Sequence, residues 1–135
     1  MNLDSIEIAN SILDYCNKKN YKISNLALQK FIFILNVKSN FTLLDREEFE
    51  DWKICPVIPK VYYHYCYNGG LDIEEIVGNK LKNLPSWFYK TLDDIIKIHS
   101  SRPYELNAII EKERIKWKLK KYQILILQST KHKRM

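Results

Sequence analysis

Cys55, His64 and Cys66 are the soft-ligand candidates of this chain, and they sit close together in sequence. A zinc site takes four ligands at workable spacing, and His64-x-Cys66 on a helix sends its two side chains to different faces. Packing is the favoured role for all three, and no metal is expected. Asp45, Glu47, Glu48, Glu50 and Asp51 crowd into DREEFED, residues 45 to 51. Acid/base work needs two carboxyls in unequal, partly buried settings, and a run this polar is expected to be solvated. His99, four residues after Ile95, reads as a satisfied structural histidine rather than a base. No nucleophile elbow, Walker loop or dinucleotide glycine pattern occurs. No catalytic residue and no cofactor are expected, and the chain is not read as an enzyme.

Chemistry of a different kind lies in DWKICPVIPKVYYHYCYNGG, residues 51 to 70. Pro56 biases Cys55 away from helix, and Pro59 suits a first helical turn, where its missing N–H has no intrahelical partner. The helix then runs through Val61, Tyr62, Tyr65 and Cys66 and stops at Gly69-Gly70. On that helix Tyr62 and Cys66 share one side while Tyr63 and Tyr67 share another, so some tyrosines face solvent. Tyr and Trp offer large contact area with few rotatable bonds. Lys60, Tyr63 and Tyr67 are therefore the leading partner-binding residues. Trp52 and Tyr62 are also candidates, although holding the fold is the favoured role for Trp52, Val57, Val61 and Tyr62.

The elements that must position this stretch are mostly helices. Asp4 with Glu7 three residues on forms a capping-box pattern, and Ile6, Ala9, Leu13 and Cys16 repeat at helical spacing up to Lys18, with Asn20 as the stop. Ser24 caps a second helix through about Lys38, whose near-continuous apolar residues mark it as central. FTLL, residues 41 to 44, reads as a short extended piece, and the acidic run after it opens a turn or one strand of a hairpin. Pro85 introduces a helix with Phe88, Leu92, Ile95 and Ile96 on its apolar face. Another begins near Pro103 and carries Leu106, Ile109, Ile110 and Trp117. YQILILQ, residues 122 to 128, either extends it or forms a strand.

At 135 residues, with 46% hydrophobic and 13% aromatic content and only three Gly, one globular domain is expected. It would occupy residues 1 to 128, with a basic tail over 129 to 135. Three cysteines, odd in number and widely spaced, suit reduced thiols. The start lacks a signal-peptide pattern and no apolar run reaches spanning length, so a cytoplasmic chain with no membrane contact is expected. Net charge is +6, unevenly spread: five carboxylates against one Arg in residues 45 to 51, then nine Lys or Arg against one Glu from Lys112 onward. A solvated helix face is the plainer reading of that basic third, and a weak nucleic-acid contact or an acidic protein partner is the alternative.

ISNLALQKFIFIL, residues 23 to 35, and EEFEDWKICPVIPKVYYHY, residues 47 to 65, together resemble the Panacea domain, a family that includes phage-associated and SocA-like antitoxins. Asn25, Leu26, Leu28, Gln29 and Lys30 match its first motif, and Phe49, Trp52, Pro56, Val57, Pro59, Val61 and Tyr62 its second. Asn25, Leu28, Gln29, Lys30, Trp52, Pro56, Val57 and Pro59 are expected to be mainly structural. Cys55 replaces a family Gly, which would make any positive φ there harder to adopt. The family's later His is absent, and residues 118 to 135 have no counterpart in it. The resemblance implies a mainly helical domain with a small β element that neutralises a partner toxin by protein–protein binding. A phage-encoded inhibitor of a host defence enzyme and a small basic nucleic-acid-binding protein are the alternatives.

Overall fold

The computed structural model describes residues 3 to 133, with side chains described through Ser129. Mainly α architecture is what these residues adopt. Helices α1 (Ser5–Lys18), α2 (Asn25–Lys38), α3 (Pro59–His64), α4 (Ser86–Ser101) and α5 (Pro103–Lys133) accompany one two-stranded antiparallel sheet, β1 (Glu50–Asp51) with β2 (Pro56–Val57). No described helix is long and apolar enough to cross a membrane.

Local chemistry explains the helix starts. The Asp4 carboxylate accepts from the Ile6 and Glu7 amides, and the Ser24 hydroxyl accepts from the Ala27 amide, satisfying donors a helix start leaves open. Pro59 is the first residue of α3 and Pro103 of α5, while Pro85 immediately precedes α4. Asn20, at φ 56°, ends the turn after α1.

Helix α2 lies at the centre and packs against α1, α3, α4, α5 and β2. Leu28, Phe31, Ile32, Phe33 and Leu35 are fully buried along it. Its interior also holds polar groups, each partnered: Asn36 Nδ2 donates to the Ile32 carbonyl and Asn36 Oδ1 accepts from the Leu44 amide. That second bond helps overturn the extended reading of residues 41 to 44. Asn40 and Phe41 both stand at positive φ, 53° and 58°, and the Phe41 amide donates to the Asn36 carbonyl at 2.7 Å. The chain turns back tightly off α2 and buries Leu43 and Leu44 instead of pairing as a strand.

Two further expectations are corrected. The tyrosine helix does not run through to Cys66: α3 ends at His64, Tyr65 takes φ −113°, and a 3-10 turn covers Cys66–Asn68 before Gly69. Ile109 is not on the core face of α5, where Leu106, Ile110 and Trp117 are buried while Ile109 is exposed. YQILILQ continues α5, and the helix passes Gln128 without a break. The side chains of Lys131, Lys133 and Arg134 in the expected basic tail lie outside the described residues.

Candidate functional site

The Pro-Val-Ile-Pro corner is held from beneath by α2. Gln29, wholly buried, accepts from the Ile58 amide through Oε1 at 3.0 Å and donates from Nε2 to Asn25 Oδ1 at 3.2 Å. Asn25 Nδ2 then donates to the Tyr62 carbonyl at 2.9 Å. Leu28, between them in sequence, is fully buried, and Lys30 is half-buried. Asn25 and Gln29 thus tie the start of α3 to the core, because buried amides without partners are costly. Pro56 and Val57 are buried in β2, and Pro59 opens α3. Cys55 is buried without a positive φ, so this position does not call for glycine. Burial pushes its thiol up to about 11.

From the other side α5 grips the same corner. Arg114 donates to Asp51 Oδ1 at 2.6 Å and to the carbonyls of Trp52 at 2.6 Å and Lys53 at 3.1 Å. Lys118 reaches Asp51 at 2.9 Å, Lys121 Nζ donates to the Phe49 carbonyl, and Trp117 Nε1 donates to the Arg46 carbonyl. Burial would raise the Asp51 pKa, yet the bonds from Lys118 and Arg114 outweigh it and hold the carboxyl below its usual value. Part of the acidic run expected to be solvated is therefore an anchor, and the bipolar charge is partly an internal match.

What the corner displays is aromatic. Trp52, half-buried, has its ring centroid 4.8 Å from Tyr62 and 6.1 Å from Tyr63, and the two tyrosines lie 5.7 Å apart, all edge-on. Trp52 Nε1 donates to Glu50 at 3.1 Å. Tyr62 is half-buried and Tyr63 63% exposed. Beside them opens a cleft of about 390 Å³, lined by Trp52, Tyr62, Leu26, Ile54, Val57 and the Gly69-Gly70 turn. Lys60 is exposed and pairs with Asp4 at 3.4 Å. Tyr67, 65% exposed, lies beyond the break at Tyr65 and shares no ring contact with the patch among the described residues. Four of the five partner-binding candidates thus belong to the corner and to α3, and Tyr67 stands apart on the following turn.

Tyr65 has a role the sequence pattern does not announce. Its ring is fully buried, its hydroxyl donates to Asn10 Oδ1, and it accepts from the Val77 amide at 3.1 Å. Asn10 Nδ2 donates to the carbonyls of Val77 and Asn79 at 3.1 and 2.9 Å. The intervening Gly78 stands at φ 108°, and a Cβ there would lie 3.2 Å from Asn10 Nδ2, so this loop needs glycine. His64 Nε2 donates to the Val77 carbonyl at 2.7 Å, which places it in the same loop clamp, whereas Cys66 is exposed. Arg114 was detectable in principle, as a cation at helical spacing between the apolar Ile110 and Trp117.

Elsewhere His99 Nδ1 lies 2.5 Å from the Tyr21 hydroxyl with its ring edge-on to Phe31, and burial, helped by Lys30, lowers its pKa below 6.5. Among the described residues no three His, Cys, Asp or Glu side chains gather as a metal site. No protein-family model, no curated protein and no solved structure matches the chain.

Proposed function

We propose that this chain acts by binding a partner protein, as the antitoxin of a toxin–antitoxin pair, and that Trp52, Tyr62 and Tyr63 form the centre of the contact. The observation that carries the reading is the aromatic patch at the mouth of the 390 Å³ cleft, on a corner braced by Gln29, Asn25 and Arg114. Braced aromatic side chains bind at low entropic cost, and a cleft gives them a partner side chain to enclose. The likeness of residues 23 to 35 and 47 to 65 to the Panacea domain supports the choice of antitoxin over other binding roles. Neutralisation would proceed by occlusion: the toxin's working surface is covered, with no bond made or broken.

The neighbouring open reading frame supplies the test. Its product, expressed alone, should arrest growth, and co-expression of this chain should restore it. A Trp52→Ala, Tyr63→Ala variant that accumulates normally should fail to rescue. A harmless neighbouring product would remove the antitoxin reading, and full rescue by the variant would remove the patch as its contact; a phage inhibitor of a host defence enzyme would use the same patch without a toxic neighbour.

A further inference from the structure

The solvent side of α5 carries an apolar row that the other described residues leave uncovered. With about 100° between successive helical residues, Ile115, Leu119, Tyr122 and Ile126 fall within roughly 40° of the direction opposite the buried Trp117. They are 60%, 59%, 64% and 48% exposed. Single exposed apolar residues are ordinary, but a row at spacings of four, three and four repeats the seam of a coiled coil. Leu119 and Tyr122 continue into a groove of about 340 Å³ lined also by Leu125, Trp117 and Asp51.

The charges beside the row decide what fits it. On the helix, Lys112 and Lys116 border it on one side and Lys118 on the other, where Glu111 also lies but is engaged by Arg114 at 3.0 Å. All three lysines are exposed, and no carboxylate follows Glu113 in the chain. Lys116 has Glu113 at 3.6 Å and Lys118 has Asp51, while Lys112 has no ion-pair partner among the described residues. A second copy of the same row would bring three lysines against one flanking carboxylate, Glu111, which Arg114 already holds.

We propose that this row docks an amphipathic helix of a partner protein whose apolar seam is bordered by Asp or Glu. The seam would fill the Ile115–Leu119–Tyr122–Ile126 row, and its carboxylates would meet Lys112, Lys116 and Lys118 as flanking charges do in paired coiled coils. This surface uses none of Trp52, Tyr62 and Tyr63, so it does not depend on the antitoxin reading.

Two fluorescent synthetic peptides test it, sharing one Leu/Ile heptad seam and differing only in Glu or Lys flanks. The full chain should bind the Glu-flanked peptide at least about tenfold more tightly by anisotropy. Leu119→Ser with Ile126→Ser, both at exposed positions, should lose that binding while melting as wild type does, and Tyr63→Ala should keep it. Lys112→Glu with Lys116→Glu should reverse the preference towards the Lys-flanked peptide. Equal affinity for both peptides, or binding indifferent to these substitutions, would overturn the proposal. So would self-association through the row at the same concentration, or tighter capture by phosphatidylglycerol vesicles or duplex RNA that the serine variant abolishes.

Discussion

Replacing Gln29 by Leu keeps most of the side-chain volume and removes both of its hydrogen bonds, which isolates what the amide does for the corner. Gln29 is wholly buried and Ile58 and Asn25 are 2% exposed, so water cannot stand in for the lost partners. The Ile58 amide and Asn25 Oδ1 would each be left short of a partner. At about 1–3 kcal/mol for each stranded buried group, offset in part by the more apolar side chain, a net loss of about 2–4 kcal/mol is expected. That is a large share of the roughly 5–15 kcal/mol that holds a domain together. Urea unfolding should show a lower midpoint with an unchanged slope, and the Ile58 amide should exchange faster with solvent. Asn25→Ala should combine with it less than additively, because the two residues share a bond. A loss under about 0.5 kcal/mol, within the range of ordinary surface changes, would refute the claim that Gln29 braces the corner.

Tyr65→Phe removes the hydroxyl that joins Asn10 to the Val77 amide; it should cost about 1–3 kcal/mol and speed exchange at Val77 more than in α2. Cys66 should react quickly with a disulfide reagent at pH 8, whereas Cys16 and Cys55, buried and pushed up to about 12 and 11, should react only on unfolding. The lowered pKa of His99 means that the unfolded chain binds the proton more readily; its contribution to stability is present above pH 6.5 and should fall away as the pH drops through the folded value. His99→Phe should flatten that part of the pH–stability curve, and an unchanged slope would remove His99 as its source.

Helix starts were legible because their causes are local: Asp4, Ser24, Pro59, Pro85 and Pro103 act within one turn of themselves. The centrality of α2 was legible from its unbroken apolar residues. The break at Tyr65 was not, since nothing nearby opposes a helix there; the ring is drawn into the core to reach Asn10 and Val77, which lie far off in sequence. The turn at residues 41 to 44 was missed for a similar reason, as a side chain of α2 captures the Leu44 amide and two residues accept positive φ. The acidic run and the basic third were both visible in composition, but their meeting through Asp51, Arg114 and Lys118 depends on how α5 crosses the hairpin. In the candidate site the aromatic residues could be named from the sequence, and the braces beneath them in part: Asn25 and Gln29 stood out as motif positions, Arg114 did not.

The central claim is that the Trp52–Tyr62–Tyr63 patch binds the neighbouring gene's product, and that nucleic-acid binding by the basic C-terminal third is not the chain's role. The direct measurement is affinity for the neighbouring gene's product, and for duplex DNA and RNA, across a salt series. Tyr63→Ala with Lys60→Ala should weaken protein binding by about 1 kcal/mol or more, with little effect from truncation after Gln128. Unchanged protein affinity in that variant would contradict the account. So would tight nucleic-acid binding, steeply dependent on salt and lost with the truncation, because each phosphate contact given up releases one counterion fewer.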